Sequence, residues 1–143
     1  MRFLTAFFLI GLSAAHAQSE VDAGTNAHCV ERLRLPVYPK LADAARISGT
    51  LTAAILLTTE GSIEKSVLDM GTASATAKRL FQPAVEQALK TSAFRNDCGG
   101  KKVILVFSFV LGEDLGPNGL PQSVSFGFPN RFWITVPAKV IQP

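Results

Sequence analysis

The sequence predicts an α+β fold: a three-stranded antiparallel sheet with one main helix packed on a face (β-β-α-β), plus a short N-terminal helix and a C-terminal aromatic extension. Three stretches carry this expectation. From Thr50 to Thr58, Leu51, Ala53, Ile55 and Leu57 alternate with Thr52, Ala54, Leu56 and Thr58, the period of two of a strand with one well-buried face. Leu80, Ala84, Val85, Ala88 and Leu89 form a stripe at helical spacing. Lys102 to Leu111, KVILVFSFVL, has the length and the β-branched and aromatic content of a central strand buried on much of both faces. A helix laid across an antiparallel sheet is the economical way to bury all three.

The elements follow in order. Gln18 to Arg34 is polar and without periodicity, and reads as an extended lead-in. Pro39 suits a first helical turn, where its missing N–H costs nothing, and Gly49 is placed to stop the element, so a short helix is expected from Pro39 to Arg46. Thr59-Glu60-Gly61-Ser62 supplies a turn in which Gly61 takes the positive φ of a tight connection. A second strand, Ile63 to Met70, completes a hairpin. Pro83 disrupts a helix interior at a cost of about 3 kcal/mol. It is therefore placed in the first turn of a helix running to about Lys90, after a looser turn from Ala77 to Gln82. Phe94 closes the core below that helix, and Gly99-Gly100 leads into the final strand.

After Leu111 the composition changes. Gly112 to Pro121 is rich in Gly and Pro and reads as a connection, while Phe126, Phe128, Phe132 and Trp133 surround a Pro129-Asn130 turn signal. A terminal hairpin or an added edge strand fits this tail. It either packs back on the sheet to cover apolar surface or presents its aromatics to a partner.

The first residues set the compartment. Met1-Arg2 is a positive start, Phe3 to Leu12 an apolar run and Ala15-His16-Ala17 a small-residue site, together a secretory signal cleaved after Ala17. The apolar run is about half the roughly 20 residues that span a bilayer, so a retained inner-membrane anchor is the weaker reading. The expected organisation is a signal at 1–17, a lead-in at 18–34, the main domain at 35–112 and an extension at 113–143, with the product exported to the periplasm. Of 14 Lys and Arg only Arg2 is lost, against 11 acidic residues, so the mature chain carries 13 − 11 = +2. That balance gives no argument for nucleic acid as a partner.

Cys29 and Cys98 both survive cleavage, and an exported chain with two cysteines pairs them most simply with each other. Closing a loop of 69 residues (98 − 29) stabilises the fold by about 4 kcal/mol in the chain-entropy model. The sharper alternative groups His28, Cys29, Asp97 and Cys98 as a metal site, but neither half has the paired-ligand spacing of a zinc motif. No metal or other cofactor is expected. His28 is the single histidine of the mature chain, and no Ser-His-Asp or paired-carboxylate arrangement is suggested. Glu60, Glu64 and Asp69 read as a solvated face beside the hairpin. No catalytic residue, enzyme activity or small-molecule substrate is expected.

One ordered set of motifs goes further. Val37-Tyr38-Pro39-Lys40-Leu41-Ala42, then Arg46-Ile47-Ser48-Gly49 before a strand, Thr59-Glu60-Gly61 at the hairpin, and Ala84, Ala88 and Phe94 in and after the helix resemble the TonB C-terminal domain. That family forms the periplasmic end of the bacterial outer-membrane energy transducer. The likeness covers Tyr38 to Leu111, or 74 residues (111 − 38 + 1). It implies a domain that binds a short peptide, the TonB box of an outer-membrane receptor, by pairing it with an exposed sheet edge. It also implies that Val37, Tyr38 and Pro39 lie near the bound peptide. Tyr38 has a second reading, as a ring packed on the core with its hydroxyl satisfied at the rim. Val37 stands where the family often has Gln. Ser13 and His16 lack the spacing of the family's anchor helix, and no Pro-rich spacer follows them. The resemblance therefore implies the receptor-end module alone, with a TonB-dependent receptor or another envelope protein as partner. The alternative is an envelope assembly domain that pairs through the same edge, including with itself as a homodimer.

Overall fold

A computed structural model of the chain describes residues 25–112, 123–127 and 129–137. The signal sequence expected at 1–17 and most of the connection after Gly112 lie outside the described residues. The predicted hairpin is present as β2, Gly49–Leu57, and β3, Ile63–Asp69, with β1, Val30–Arg32, before it. Its turn has Gly61 at φ 80, as the turn chemistry requires. Leu51, Ala53, Ile55 and Leu57 are each fully buried, so the alternation read in the sequence is the core face of β2. Two helices, α1 over Lys40–Ala44 and α2 over Ala75–Lys90, are followed by a two-residue strand β4, Ala93–Phe94, and by β5, Lys102–Gly112.

The α+β class and the single main helix stand, but the sheet is larger than three strands. Residues Ser123–Gly127 form β6 and Arg131–Pro137 form β7, giving a five-stranded mixed sheet in the order β3-β2-β5-β7-β6. β6 begins at the end where β5 stops and lies one strand position further out. The Pro129-Asn130 turn then folds β7 back into the gap, parallel to β5, pairing Phe107 with Phe132 and Phe109 with Ile134. Fully buried Ile134 and the ring of Phe132, 5.7 Å from that of Phe107, extend the core sideways. The described part of the aromatic tail thus packs back as a hairpin on the sheet, while Phe128 lies outside the described residues. The hairpin follows the Pro129-Asn130 turn signal read in the sequence, whereas the pairing of β7 with β5 joins strands that are not consecutive and leaves no local signal.

The main helix also starts earlier than expected. Ser74 caps it, its Oγ accepting from the Ala77 amide at 3.2 Å, and the helix runs through Pro83 without a break. Pro83 and Arg79 are both exposed, so the Arg79 carbonyl that loses its helical donor belongs to the exposed side of the helix. Phe81, Val85, Ala88 and Leu89 are buried against the sheet, where each of the larger side chains contributes about 1.5–3 kcal/mol.

The short helix is five residues long, with Pro39 as its N-cap and Ala45 as its C-cap. The expected Gly stop is not what ends it. Arg46 adopts the left-handed conformation (φ 52), the Ile47 amide donates to the Ala42 carbonyl at 2.8 Å, and the Arg46 amide to Asp43 at 3.1 Å. These two bonds are a Schellman motif. Gly49 instead opens β2, where a Cβ would lie 3.1 Å from Met70 Cε and 3.3 Å from Phe81 Cε2.

Part of the lead-in is structured too. A 3-10 turn at Ala27–Cys29 runs into β1, which pairs antiparallel with β4, matching Val30 to Phe94 and Arg32 to Ala93. Cys29 and Cys98 form the expected disulfide, both fully or almost fully buried, and the Arg95 amide donates to the Cys29 carbonyl at 2.8 Å beside it. Among the described residues no helix is long and apolar enough to cross a membrane, and the disulfide is compatible with export.

Candidate functional site

A binding mode that uses backbone hydrogen bonds needs a strand with unpaired groups on one side. The outer side of β5, left open in a three-stranded sheet, is covered along its length. Near its start the Ile104 amide donates to the Thr25 carbonyl at 2.9 Å and Asn26 Nδ2 to the Lys102 carbonyl at 2.8 Å. Asn130 then brackets the next residues, its Nδ2 donating to the Ile104 carbonyl and its carbonyl accepting from Val106, each at 2.9 Å. From Val106 onward β7 completes the edge.

Among the described residues the outer edges of the sheet are therefore β3 and β6. Among the described residues no strand pairs with the outer side of β3, and that side borders a broad surface groove. The groove, about 760 Å³, lies between Gly61 to Ser66, the C-terminal turns of α2 and the small β1–β4 sheet. Ile63, Leu89, Ala93 and Phe94 give it an apolar floor, while Glu31, Glu60, Glu64 and Glu86 stand around it with Lys65 and Lys90. Each wall follows from local chemistry. The β3 edge is offset by a bulge opposite Leu56 and Leu57, which leaves Glu64 without a cross-strand partner on β2. Glu86 accepts from Gln82 Nε2 at 2.9 Å, a pair one helical turn apart.

The far wall is held by the disulfide and by close backbone approach. A Cβ on Gly99 would sit 2.7 Å from both Cα and O of Thr59, and one on Gly61 would sit 2.8 Å from Asn96 Oδ1. The β2–β3 turn and the loop around Cys98 thus touch main chain to main chain. Beside them Arg95 and Asp97 form an exposed ion pair at 2.8 Å. This hydrogen-bonded partner holds the Asp97 carboxyl below its ordinary value.

The residues inferred from the resemblance lie elsewhere. Val37 is 72% exposed and lines a second, shallower cavity of about 420 Å³ with Arg34, Leu35, Pro36 and the face of α2 at Ala84, Gln87 and Ala88. Ser92 fixes that segment: its Oγ accepts from the Arg34 amide at 2.9 Å and donates to the Ala88 carbonyl at 2.9 Å. Tyr38 is 4% exposed, edge-on to Phe81 and Phe109 with ring centroids 5.7 and 5.6 Å away, and is a core residue. Pro39 is half-buried as the cap of α1. The three positions share one segment, yet Val37 alone offers a largely open side chain to a partner.

His28 Nε2 lies 3.5 Å from Cys29 Sγ, and the ligand atoms of His28, Cys29 and Cys98 fall within 4.8 Å of one another. With both sulfurs in the disulfide, neither is a thiolate, the form that ligates a metal.

In the sequence Glu60 and Glu64 read as a solvated face, and nothing there groups them with Glu31, Glu86, Leu89 or Lys90. Four separate elements bring them together, so no spacing in the chain announces the groove. Comparison with protein-family models and with the curated proteins gives no match to this chain.

Proposed function

We propose that this protein is an interaction module that binds an extended peptide by adding it as a strand to the outer edge of β3. The observation that carries the reading is the coincidence of that edge with the 760 Å³ groove. Backbone pairing supplies affinity in such a site, and side chains of the added strand, alternating in direction, supply selectivity. The residue pattern resembling the TonB C-terminal domain and the secretory signal support a periplasmic setting, with the peptide coming from an outer-membrane receptor of a transport system. The covering of the β5 edge supports β3 as the receiving edge in this reading. No catalytic role is part of this reading.

The test is titration of the mature chain with a receptor TonB-box peptide and with the same peptide carrying Pro at alternate positions. Binding in the roughly micromolar range, lost with Pro because the added strand loses donors, supports the proposal. No binding at several hundred micromolar (about −5 kcal/mol or weaker) counts against it.

A second reading, an envelope assembly domain, rests on the other edge. β6 reads Ser-Val-Ser-Phe-Gly, has no charged residue, and leaves Val124 40% and Phe126 57% exposed. Uncharged edges of this kind invite pairing between chains. A concentration-dependent dimer in sedimentation, dispersed by Val124→Lys, supports this reading.

A further inference from the structure

The charges around the β3 groove are unbalanced in a way that names the chemistry of its occupant. Glu31 comes from β1, Glu60 from the β2–β3 turn, Glu64 from the bulge and Glu86 from α2, so acidic groups meet the groove from every wall. Two cations, Lys65 and Lys90, line the groove against these four carboxylates, and Arg95, whose charge also acts on Glu31, is paired with Asp97, so an excess of negative charge remains. Lys65 lines the groove from β3, next to the bulged Glu64. Lys90 stands exposed in the last helical turn, where a cation complements the helix C-terminus. The floor between the carboxylates is apolar at Ile63, Leu89 and Phe94.

We infer that the groove selects an extended peptide in which an apolar side chain is flanked, two residues to either side, by Lys or Arg. The inference rests on strand addition at β3 and specifies its ligand. Residues i and i±2 of an added strand face the same way, about 6–7 Å apart, so a central apolar residue meets the floor while its neighbours reach the surrounding carboxylates. Charge complementarity of this kind acts mainly on partner choice and on the rate of encounter.

The test uses three capped heptapeptides, Thr-X-Thr-Val-Thr-X-Thr with X as Lys, Gln or Glu, titrated into the mature disulfide-bonded chain by fluorescence anisotropy. At about 50 mM salt the Lys peptide should bind about tenfold or more tighter than the Glu peptide, with Gln between, and the spread should shrink at about 500 mM. In the double variant E64Q/E86Q the preference should fall by at least about threefold while the Gln peptide binds as before. Urea midpoints of the variant and the parent show whether the fold is kept. Equal affinities for all three peptides overturn the charge selection and leave strand addition standing. A preference for Lys that the double variant does not reduce overturns the assignment to this groove. Failure of all three peptides to bind overturns strand addition at β3 together with the inference built on it.

Discussion

The hydroxyl of Tyr38 donates to the Ile47 carbonyl at 2.6 Å, tying the segment before α1 to the chain just past its C-terminal cap. The ring sits edge-on to Phe81 of α2 and Phe109 of β5, which are themselves stacked at 4.3 Å. One side chain thus joins the N-terminal segment, the main helix and the central strand. Tyr38→Phe keeps the rings together and leaves the Ile47 carbonyl short of a donor, so it should lower stability by about 1–2 kcal/mol in urea denaturation. Peptide affinity at the β3 groove should be unchanged, because the ring does not line it.

The same hydroxyl makes stability depend on alkaline pH. Burial, and secondly the negative charge of Asp43, push the Tyr38 pKa from 10.0 up to about 12. Between those values the unfolded chain has released the proton while the folded chain still holds it. This contribution is therefore fully present below about pH 10 and is lost as pH rises toward 12. Over that window wild type should lose stability relative to Tyr38→Phe by roughly 1.4 kcal/mol per pH unit at most. A difference between the two proteins that stays constant from about pH 9 to 11.5 would contradict the burial of that hydroxyl.

Arg46 occupies a left-handed position that glycine takes without a Cβ penalty. Arg46→Gly should keep both bonds of the Schellman motif and raise stability by about 0.5–1 kcal/mol, read as a shift in the urea midpoint at constant slope. A loss of stability would mean that the arginine side chain contributes more than its backbone strain costs.

Pro83 interrupts the hydrogen-bond ladder of α2 on its exposed face. Replacing it by Ala restores a donor to the Arg79 carbonyl and should stabilise the protein by about 1–3 kcal/mol, the upper figure being the full helical cost of proline. An unchanged melting temperature would show that the helix has already relaxed around the ring.

The Cys29–Cys98 disulfide closes a separation of 69 residues and anchors the β1–β4 wall of the groove. The double change Cys29→Ser with Cys98→Ser should cost about 4 kcal/mol. Amide exchange should rise first at Val30 to Arg32 and at Ala93 and Phe94, ahead of the five-stranded sheet. Peptide affinity should fall with it, since Glu31, Ala93 and Phe94 belong to that wall.

Much of this fold was legible because its signals are local. The alternation of Leu51 to Leu57 gave β2 to within one residue, and Gly61 gave the turn. The cysteine pair followed from their number and the expected compartment. Pro83 misled, since a propensity rule about helix interiors yields to tertiary packing when Phe81, Val85 and Leu89 all bury on one face and the proline stays on the other. The stop at Arg46 was hidden because arginine carries no αL preference. β7 and the small β1–β4 sheet depend on pairings across the chain, Phe107 with Phe132 and Val30 with Phe94, which periodicity cannot reveal. The groove is a product of those same pairings, so it became visible only with the tertiary structure.

Amide hydrogen exchange of the mature chain, with and without the Lys heptapeptide, tests strand addition at β3 most directly. If the peptide pairs with that edge, slowed exchange should appear within Ile63–Asp69, with smaller effects at Leu89 and Ala93. Slowing confined to Ser123–Gly127, or to Arg34–Val37, would place the bound peptide elsewhere and contradict the proposal.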